Sequence, residues 1–280
     1  MALGRALRRV LIIDSGNPCN KSTPHSHNFL TNDGRTPGEI AELARGQVAA
    51  YDSVEFADAW ASRATKAGDR FEVELAQGGT ITARKLILAT GIRDNIPAIP
   101  GFEESWGKSV LHCPYCHGYE VRERKTGVLA TAEHPFEYVS LIANWTHELT
   151  LFTNGPSSLS AQEIKKLEDH KITMVTGLVE RLEQRRGSIE SVVMQDGRTF
   201  PLEVLYARLP FSQHSAIPAD LGCELTAEGY IKIDTAQETT VHGVFACGDN
   251  SSRMRTVANA VSTGTATGIM VNRELIEESF

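Results

Sequence analysis

The segment His112-Cys113-Pro114-Tyr115-Cys116-His117-Gly118-Tyr119-Glu120 holds the side chains best suited to chemistry. Two cysteines separated by two residues can close a small disulfide ring. His117 beside them titrates near neutral pH, so it can take or give the proton that dithiol–disulfide exchange moves. A thiol at a helix start has its pKa lowered from about 8.5 into the range of about 3.5–7.5. The reading therefore expects a helix start at Cys113 or Cys116. Two other readings compete. Half of a zinc site would need a second pair or suitably spaced histidines, and Cys19, Cys223 and Cys247 each stand singly. The pair could also be inert buried thiols. A redox pair is favoured, because this spacing in an α/β chain is a recognised redox arrangement. The catalytic candidates are Cys113, Cys116 and His117.

A dispersed set of residues suits a nucleotide. The apolar run Val10–Ile13 ends in Asp14, Lys85–Ala89 ends in Thr90-Gly91, and Val244–Cys247 ends in Gly248-Asp249. An acid at a strand end can accept both ribose hydroxyls. Glycine after a strand lets backbone approach a pyrophosphate.

These residues need strands and helices to hold them. Short apolar runs predict buried strands at Val10–Ile13, Lys85–Ala89, Gly127–Thr131, Leu149–Thr153 and Val244–Cys247. Hairpins are expected around Gly78-Gly79 and Asp196-Gly197. Helices are expected at Ala2–Arg9, Glu39–Tyr51, Phe136–Trp145, Ala161–His170 and Arg255–Ile276, with a long loop over 17–38. The small residues Ala258, Ala260, Ala266 and Gly268 read as close packing of the last helix on the sheet. His25, His27 and His214 read as solvated loop residues. Trp60, Trp106 and Trp145 read as packing residues, with Trp106 able to edge a substrate cleft. The fold class is α/β: two Rossmann-like three-layer domains, the second inserted into the first. The boundaries are 1–111 and 239–280 for the outer domain and 112–238 for the inserted one.

The 280 residues carry 28 Lys+Arg against 35 Asp+Glu, a net charge of −7, with 41% hydrophobic residues. That excludes a disordered chain, a collagen-like repeat and a disulfide-dense miniprotein. The acidic balance argues against nucleic-acid binding. No apolar run is long enough for a membrane helix, and the N-terminal residues lack the apolar core of a secretory signal. Five cysteines without a regular framework point to a reducing, cytoplasmic setting.

The stretches LILATGIRDNIPAIPGFEESWGKSVLHCPYCHGYE and TTVHGVFACGDNSSRMRTVANAVSTGTATG resemble the thioredoxin-reductase-like FAD flavoproteins. They resemble most the subgroup with CxxC-His-Gly-Tyr-Glu, to which dithiol oxidases of microbial natural products are similar. The resemblance covers nearly the whole chain. It implies an FAD whose flavin faces the cysteine pair, with Asp14 on the adenosine ribose, Ala89, Thr90 and Gly91 beside the cofactor, and Gly248-Asp249 near the ribityl–phosphate. It further implies backbone of Arg255, Thr256 and Val257 under the flavin, Asn28 on its side, Cys116 as the flavin-proximal thiol and Cys113 as the exchanging one. A small dithiol or a thioredoxin-like protein as partner, and a homodimer, are likewise implied.

The chain departs from that pattern twice. The Gly-rich turn expected for a pyridine nucleotide reads Val128-Leu-Ala-Thr-Ala-Glu-His-Pro-Phe136, with Glu133 facing phosphate. The next strand ends Leu151-Phe-Thr-Asn-Gly155 without Arg or Lys. Losing backbone donors and cations together predicts poor NADPH use, leaving NAD(P)H an uncertain cofactor. The fingerprint GxGxxG is also absent, so the chain reads as starting inside the first helix and as holding FAD weakly. The reading is an FAD-dependent thiol–disulfide oxidoreductase, tilted toward dithiol oxidation. The alternatives are an NADPH-dependent thioredoxin reductase and a truncated, non-catalytic remnant.

Overall fold

The computed structural model describes residues 1–130 and 134–280. The chain forms two compact, interleaved units. One comprises Met1–Lys21, Phe29–Arg93 and Phe211–Phe280, the other Ser22–Asn28 and Asp94–Pro210.

In the first unit, Val10–Asp14 pairs in parallel with Val54–Asp58, Asp14 opposite Asp58. The connection contains the helix Pro37–Ala49. It starts where it does because Thr36 and Glu39 form a reciprocal capping box and Pro37 pre-sets the first turn. A second parallel pair joins Leu86–Leu88 to Val244–Ala246. An antiparallel sheet of Ala61–Ala67, Arg70–Leu75 and Thr80–Ala83 supplies Ala64, Phe71 and Val73 to the core, where they meet Leu88, Val244 and Ala246. The helix Val257–Glu277 lies close to its neighbours through missing side chains. A Cβ on Gly264 would sit 4.0 Å from the Cys247 sulfur, and one on Gly268 would sit 2.9 Å from the Ala2 Cβ. The small-residue stripe thus packs on the short helix Ala2–Arg5 as well as on the strand.

The second unit holds a five-stranded parallel sheet in the order Thr173–Val175, Leu149–Phe152, Thr126–Leu129, Val204–Ala207, Val110–Leu111. Its central strands are buried on both faces, and the two-residue alternation of a strand sorts them cleanly. Leu129, Phe152 and Leu205 face one cluster. Val128, Leu151, Val204 and Tyr206 face the other, under the helix Pro135–Ile142. An antiparallel sheet of Val179–Arg185, Ser188–Met194 and Thr199–Pro201 covers the first cluster.

The unit boundaries fall at 93/94 and 210/211, not at 111/112 and 238/239. Val110–Leu111 hydrogen-bonds to Val204–Ala207, which draws the preceding segment into the second unit. The bridge Glu238↔Phe245, the Ile231 N–H bond to the Asn250 carbonyl and the Ala246 N–H bond to the Gln237 carbonyl tie residues 211–238 to the first. Element limits also move: the helix expected over Ala2–Arg9 ends at Arg5, and that expected over Glu39–Tyr51 runs Pro37–Ala49, its start set by the Thr36 cap. The helix expected from Arg255 starts at Val257, because the Thr256 side chain caps it. The helix expected to Trp145 ends at Ile142. The strands Val54–Asp58, Ala61–Ala67 and Val179–Arg185 carry many exposed residues and had no apolar run to announce them. Among the described residues, no helix is long and apolar enough to cross a membrane.

Candidate functional site

The redox corner belongs to the second unit. The strand Val110–Leu111 delivers the chain to His112, whose carbonyl accepts a hydrogen bond from the Tyr138 hydroxyl at 2.7 Å. Cys113 then caps the single turn Pro114–His117, with Pro114 at its first position. Cys113 and Cys116 are joined as a disulfide, Cα atoms 5.3 Å apart. With the two sulfurs bonded to each other, neither stands as a free thiolate for zinc. A helix start at Cys113 is present, yet one turn aligns few peptide dipoles, so the electrostatic help expected from a long helix is small.

His117 is half-buried. Burial holds its pKa below the usual value, the Glu120 carboxylate opposes that, and the neighbouring His27 adds to it. The imidazole is therefore biased toward the neutral form that accepts a proton. His27 is not the solvated loop residue expected. Its Nδ1 lies 3.7 Å from the Glu120 carboxylate, on the Ser22–Asn28 segment that clusters with this unit. That segment is held tightly: a Cβ on Gly107 would come within 2.6 Å of the Ser22 hydroxyl oxygen.

Trp145 is the aromatic residue at the cysteine corner. A Cβ on Gly118 would meet its indole at 2.8 Å and the Pro114 carbonyl at 2.4 Å, which explains the glycine after His117. The Tyr115 ring stands edge-on to the same indole, centroids 5.4 Å apart. Trp106 instead stacks on Phe102 and packs against the core. Behind the corner, the Arg208 guanidinium covers the Tyr138 ring at 4.3 Å, and Tyr138 meets Tyr206 edge-on. Burial pushes both phenol pKa values up, so both hydroxyls stay protonated. The other thiols differ. Cys19 is exposed, while Cys223 and Cys247 are buried, and burial pushes their pKa values up.

A second set of candidates gathers in the first unit, at the carboxyl ends of the parallel pair Leu86–Leu88 and Val244–Ala246. Thr90 and Gly91 leave one strand, and Gly248 and Asp249 leave the other. Asn250, fully buried, links the two exits. Its amide nitrogen donates to the Leu88 carbonyl at 2.7 Å and to the Thr90 hydroxyl at 3.3 Å. Its side-chain oxygen has no hydrogen-bond partner among the described residues. Sequence reading passed over Asn250; its place next to Asp249 was the available signal. The Gly248 N–H donates to the Thr263 hydroxyl at 3.1 Å, and the Thr256 hydroxyl accepts from Asn259 N–H. Ala89 is exposed. Arg255 reaches the Cys19 sulfur at 3.9 Å. Asp14 stands at the exit of the other parallel pair, its carboxylate accepting from the Gly16 N–H at 2.9 Å. Asn28 falls with the second unit and has a φ of 61°.

This corner fits a dinucleotide. Strand exits of a parallel sheet are where such ligands bind. Gly16 and Gly91 have positive φ, and a Cβ on either would meet nothing within 4 Å. The one other cluster of potential metal ligands among the described residues is Glu238, His242 and Glu274. The Lys85 ammonium already contacts Glu274, and the cluster holds no cysteine.

The family described as "Pyridine nucleotide-disulphide oxidoreductase" matches residues 1–264. A protein of Claviceps purpurea named thioredoxin reductase tcpT is 32% identical, the alignment covering 99% of this chain and 90% of that protein. An oxidoreductase from Agrobacterium tumefaciens superposes with a TM-score of 0.92 at 34% identity, over 98% of this chain and 92% of its own. The crystal structure of HlmI superposes with a TM-score of 0.93 at 32% identity, over 99% and 88%.

Proposed function

The chain belongs to the pyridine nucleotide-disulphide oxidoreductase family and is an FAD-dependent thiol–disulfide oxidoreductase of thioredoxin-reductase-like type, and on that premise we propose that it oxidises dithiols through Cys113 and Cys116. The observation that carries this reading is the Cys113–Cys116 disulfide beside an imidazole biased to the neutral form. A substrate thiol gives its proton to His117 as its sulfur attacks Cys113. The Cys113–Cys116 bond breaks, and Cys116 leaves as a thiolate beside the new imidazolium. The second substrate thiol then attacks the mixed disulfide, releasing the oxidised substrate and leaving the enzyme as a dithiol. FAD, when bound, supplies the two-electron acceptor that restores the disulfide. Asp14, Thr90, Gly91, Gly248, Asp249 and the backbone at Arg255, Thr256 and Val257 are the residues proposed to hold it, with Asn28 contributing from the other segment. The substrate is a small dithiol or a thioredoxin-like protein, the enzyme works as a homodimer, and its compartment is cytoplasmic.

Dithiol oxidation is favoured over NADPH-driven reduction by the exits of Thr126–Leu129 and Leu149–Phe152. Glu133 lies outside the described residues. After it, His134 takes a left-handed conformation and Pro135, which has no N–H, starts the helix. At the other exit the Asn154 side-chain oxygen accepts the Val179 N–H, and the Thr153 hydroxyl donates to the Gly155 carbonyl. These polar groups serve the loop itself, and the Arg198 guanidinium beside Gly177 is already held by Asp196 and the Thr176 carbonyl. The names of relatives such as tcpT favour the second reading, an NADPH-dependent thioredoxin reductase. Anaerobic mixing of the FAD-loaded protein with NADPH, NADH or a small dithiol separates the two. Each missing charged hydrogen bond to phosphate is worth about 1.5–3 kcal/mol, so NADPH is expected to bleach the flavin roughly 100-fold more slowly than the dithiol. Rapid bleaching by micromolar NADPH overturns the reading.

A further inference from the structure

We propose that His27 is a positioning residue of the redox corner, acting through Glu120 on the proton that His117 exchanges with the Cys113–Cys116 pair. The inference rests on the proton-acceptor role given to His117 above, and it adds a residue some ninety positions earlier in the chain.

Three observations meet here. The Ser22–Asn28 segment clusters with the redox unit although the chain on both sides of it belongs to the other unit. Its approach to Gly107 leaves no room for a side chain there, so the segment is seated rather than draped. His27, with a side chain 20% exposed, then lies 3.7 Å from a Glu120 carboxylate that is 40% exposed. Glu120 thus has His27 beside it and also acts electrostatically on His117, so the two histidines draw on one negative charge.

His117 faces Glu120 and His27. Glu120 also faces the Tyr206 hydroxyl, which stays protonated. His27 faces Glu120, with the exposed His25 ring 6.5 Å away. The Glu120 charge favours a proton on His117, and the His27 ring opposes it. A substitution that changes the charge at position 27 therefore acts on the His117 proton with a definite sign.

The coupling has a sign that substitution can reverse. His27→Gln removes the competing cation and is expected to move the His117 midpoint to higher pH. His27→Lys fixes the cation and is expected to move it to lower pH. Glu120→Gln also moves it lower. The midpoint is read directly by NMR of histidine-labelled protein, with His117→Gln identifying the resonance. The acid limb of disulfide reduction by a small dithiol gives the kinetic counterpart, and neither readout needs turnover of the flavin. Opposite displacements for His27→Gln and His27→Lys support the proposal. Equal midpoints in those two variants, or displacement of both in one direction, overturn it, because a merely structural histidine has no such sign. Loss of exchange at every pH in the unsubstituted protein would instead defeat the dithiol reading, leaving the NMR result to stand on its own.

Discussion

Gly91 and Gly118 sit at the two chemical corners for opposite physical reasons. Gly91 leaves the strand Leu86–Leu88 with φ of 65°, and a Cβ there would meet nothing within 4 Å. Gly118 has an ordinary helical φ of −64°, and a Cβ there would strike the Pro114 carbonyl and the Trp145 indole. One glycine keeps space open beside a strand exit, as a corner that receives a ligand must. The other lets the protein fill its own space, as a corner that holds a disulfide in one geometry must. The same contrast runs through the neighbouring polar groups. Asn250 keeps an oxygen without a partner among the described residues, whereas in the second unit Thr153 is engaged with Gly155 and Asn154 with Val179.

The largest effect should come from the open corner. Asp249 follows Gly248 at the exit of Val244–Ala246 and is half-buried. If that corner holds FAD, Asp249→Ala removes a charged hydrogen-bond partner, a loss of about 1.5–3 kcal/mol. Retained flavin, read from the visible absorbance after desalting, should correspond to a Kd roughly 10–100-fold weaker. Unchanged affinity would show that the open corner is not the ligand's, and the comparison would fail at its first term.

The two glycines then test each other. Gly118→Ala forces the indole or the redox turn to shift, an overpacking cost of about 1–3 kcal/mol. It should lower the melting temperature and change the Trp145 fluorescence without altering bound flavin. Gly91→Ala meets no atom and carries only the left-handed strain, about 1 kcal/mol. It should leave tryptophan emission unchanged. A larger stability loss for Gly91→Ala than for Gly118→Ala would reverse the assignment of filled and open corners.

Much of this contrast was legible in the sequence, and what was missed has a common cause. The CPYCH segment, Thr90-Gly91 and Gly248-Asp249 announced themselves, because reactive types and strand-ending glycines lie next to one another along the chain. His27, Trp145 and Asn250 did not. His27 reaches Glu120 only because the Ser22–Asn28 segment leaves its own unit. Trp145 follows the helix Pro135–Ile142 and meets Gly118 through a fold contact of distant segments. Asn250 matters through its burial and its bond to Leu88, neither of which a residue type reveals. The domain limits moved for the same reason. The expected boundary leaves residues 94–111 in the outer domain, yet the Pro100 carbonyl accepts the Leu182 N–H at 2.8 Å and Gly101 packs against the Leu182 backbone.

The smallest effect lies away from both corners and tests whether the open corner's helix is anchored at its far end. Glu278 follows Val257–Glu277 and bonds Lys85 and Arg84 at the start of Leu86–Leu88. Bonds from Lys85, opposed by burial and assisted by Arg84, hold the Glu278 pKa below its usual value. A depressed carboxylate stabilises the fold above its unfolded pKa, and that stability is lost as pH falls through the folded one. Partly exposed pairs of this kind contribute about 0.2–1 kcal/mol. Glu278→Gln should therefore lower the melting temperature slightly at neutral pH, and the difference from the unsubstituted protein should vanish in acid. High salt should shrink it further, because the pair is screened. A difference that persists unchanged below the carboxylate range would mean that the helix end is held by packing, and that the strand exit beside it owes its geometry to the buried core rather than to this ion pair.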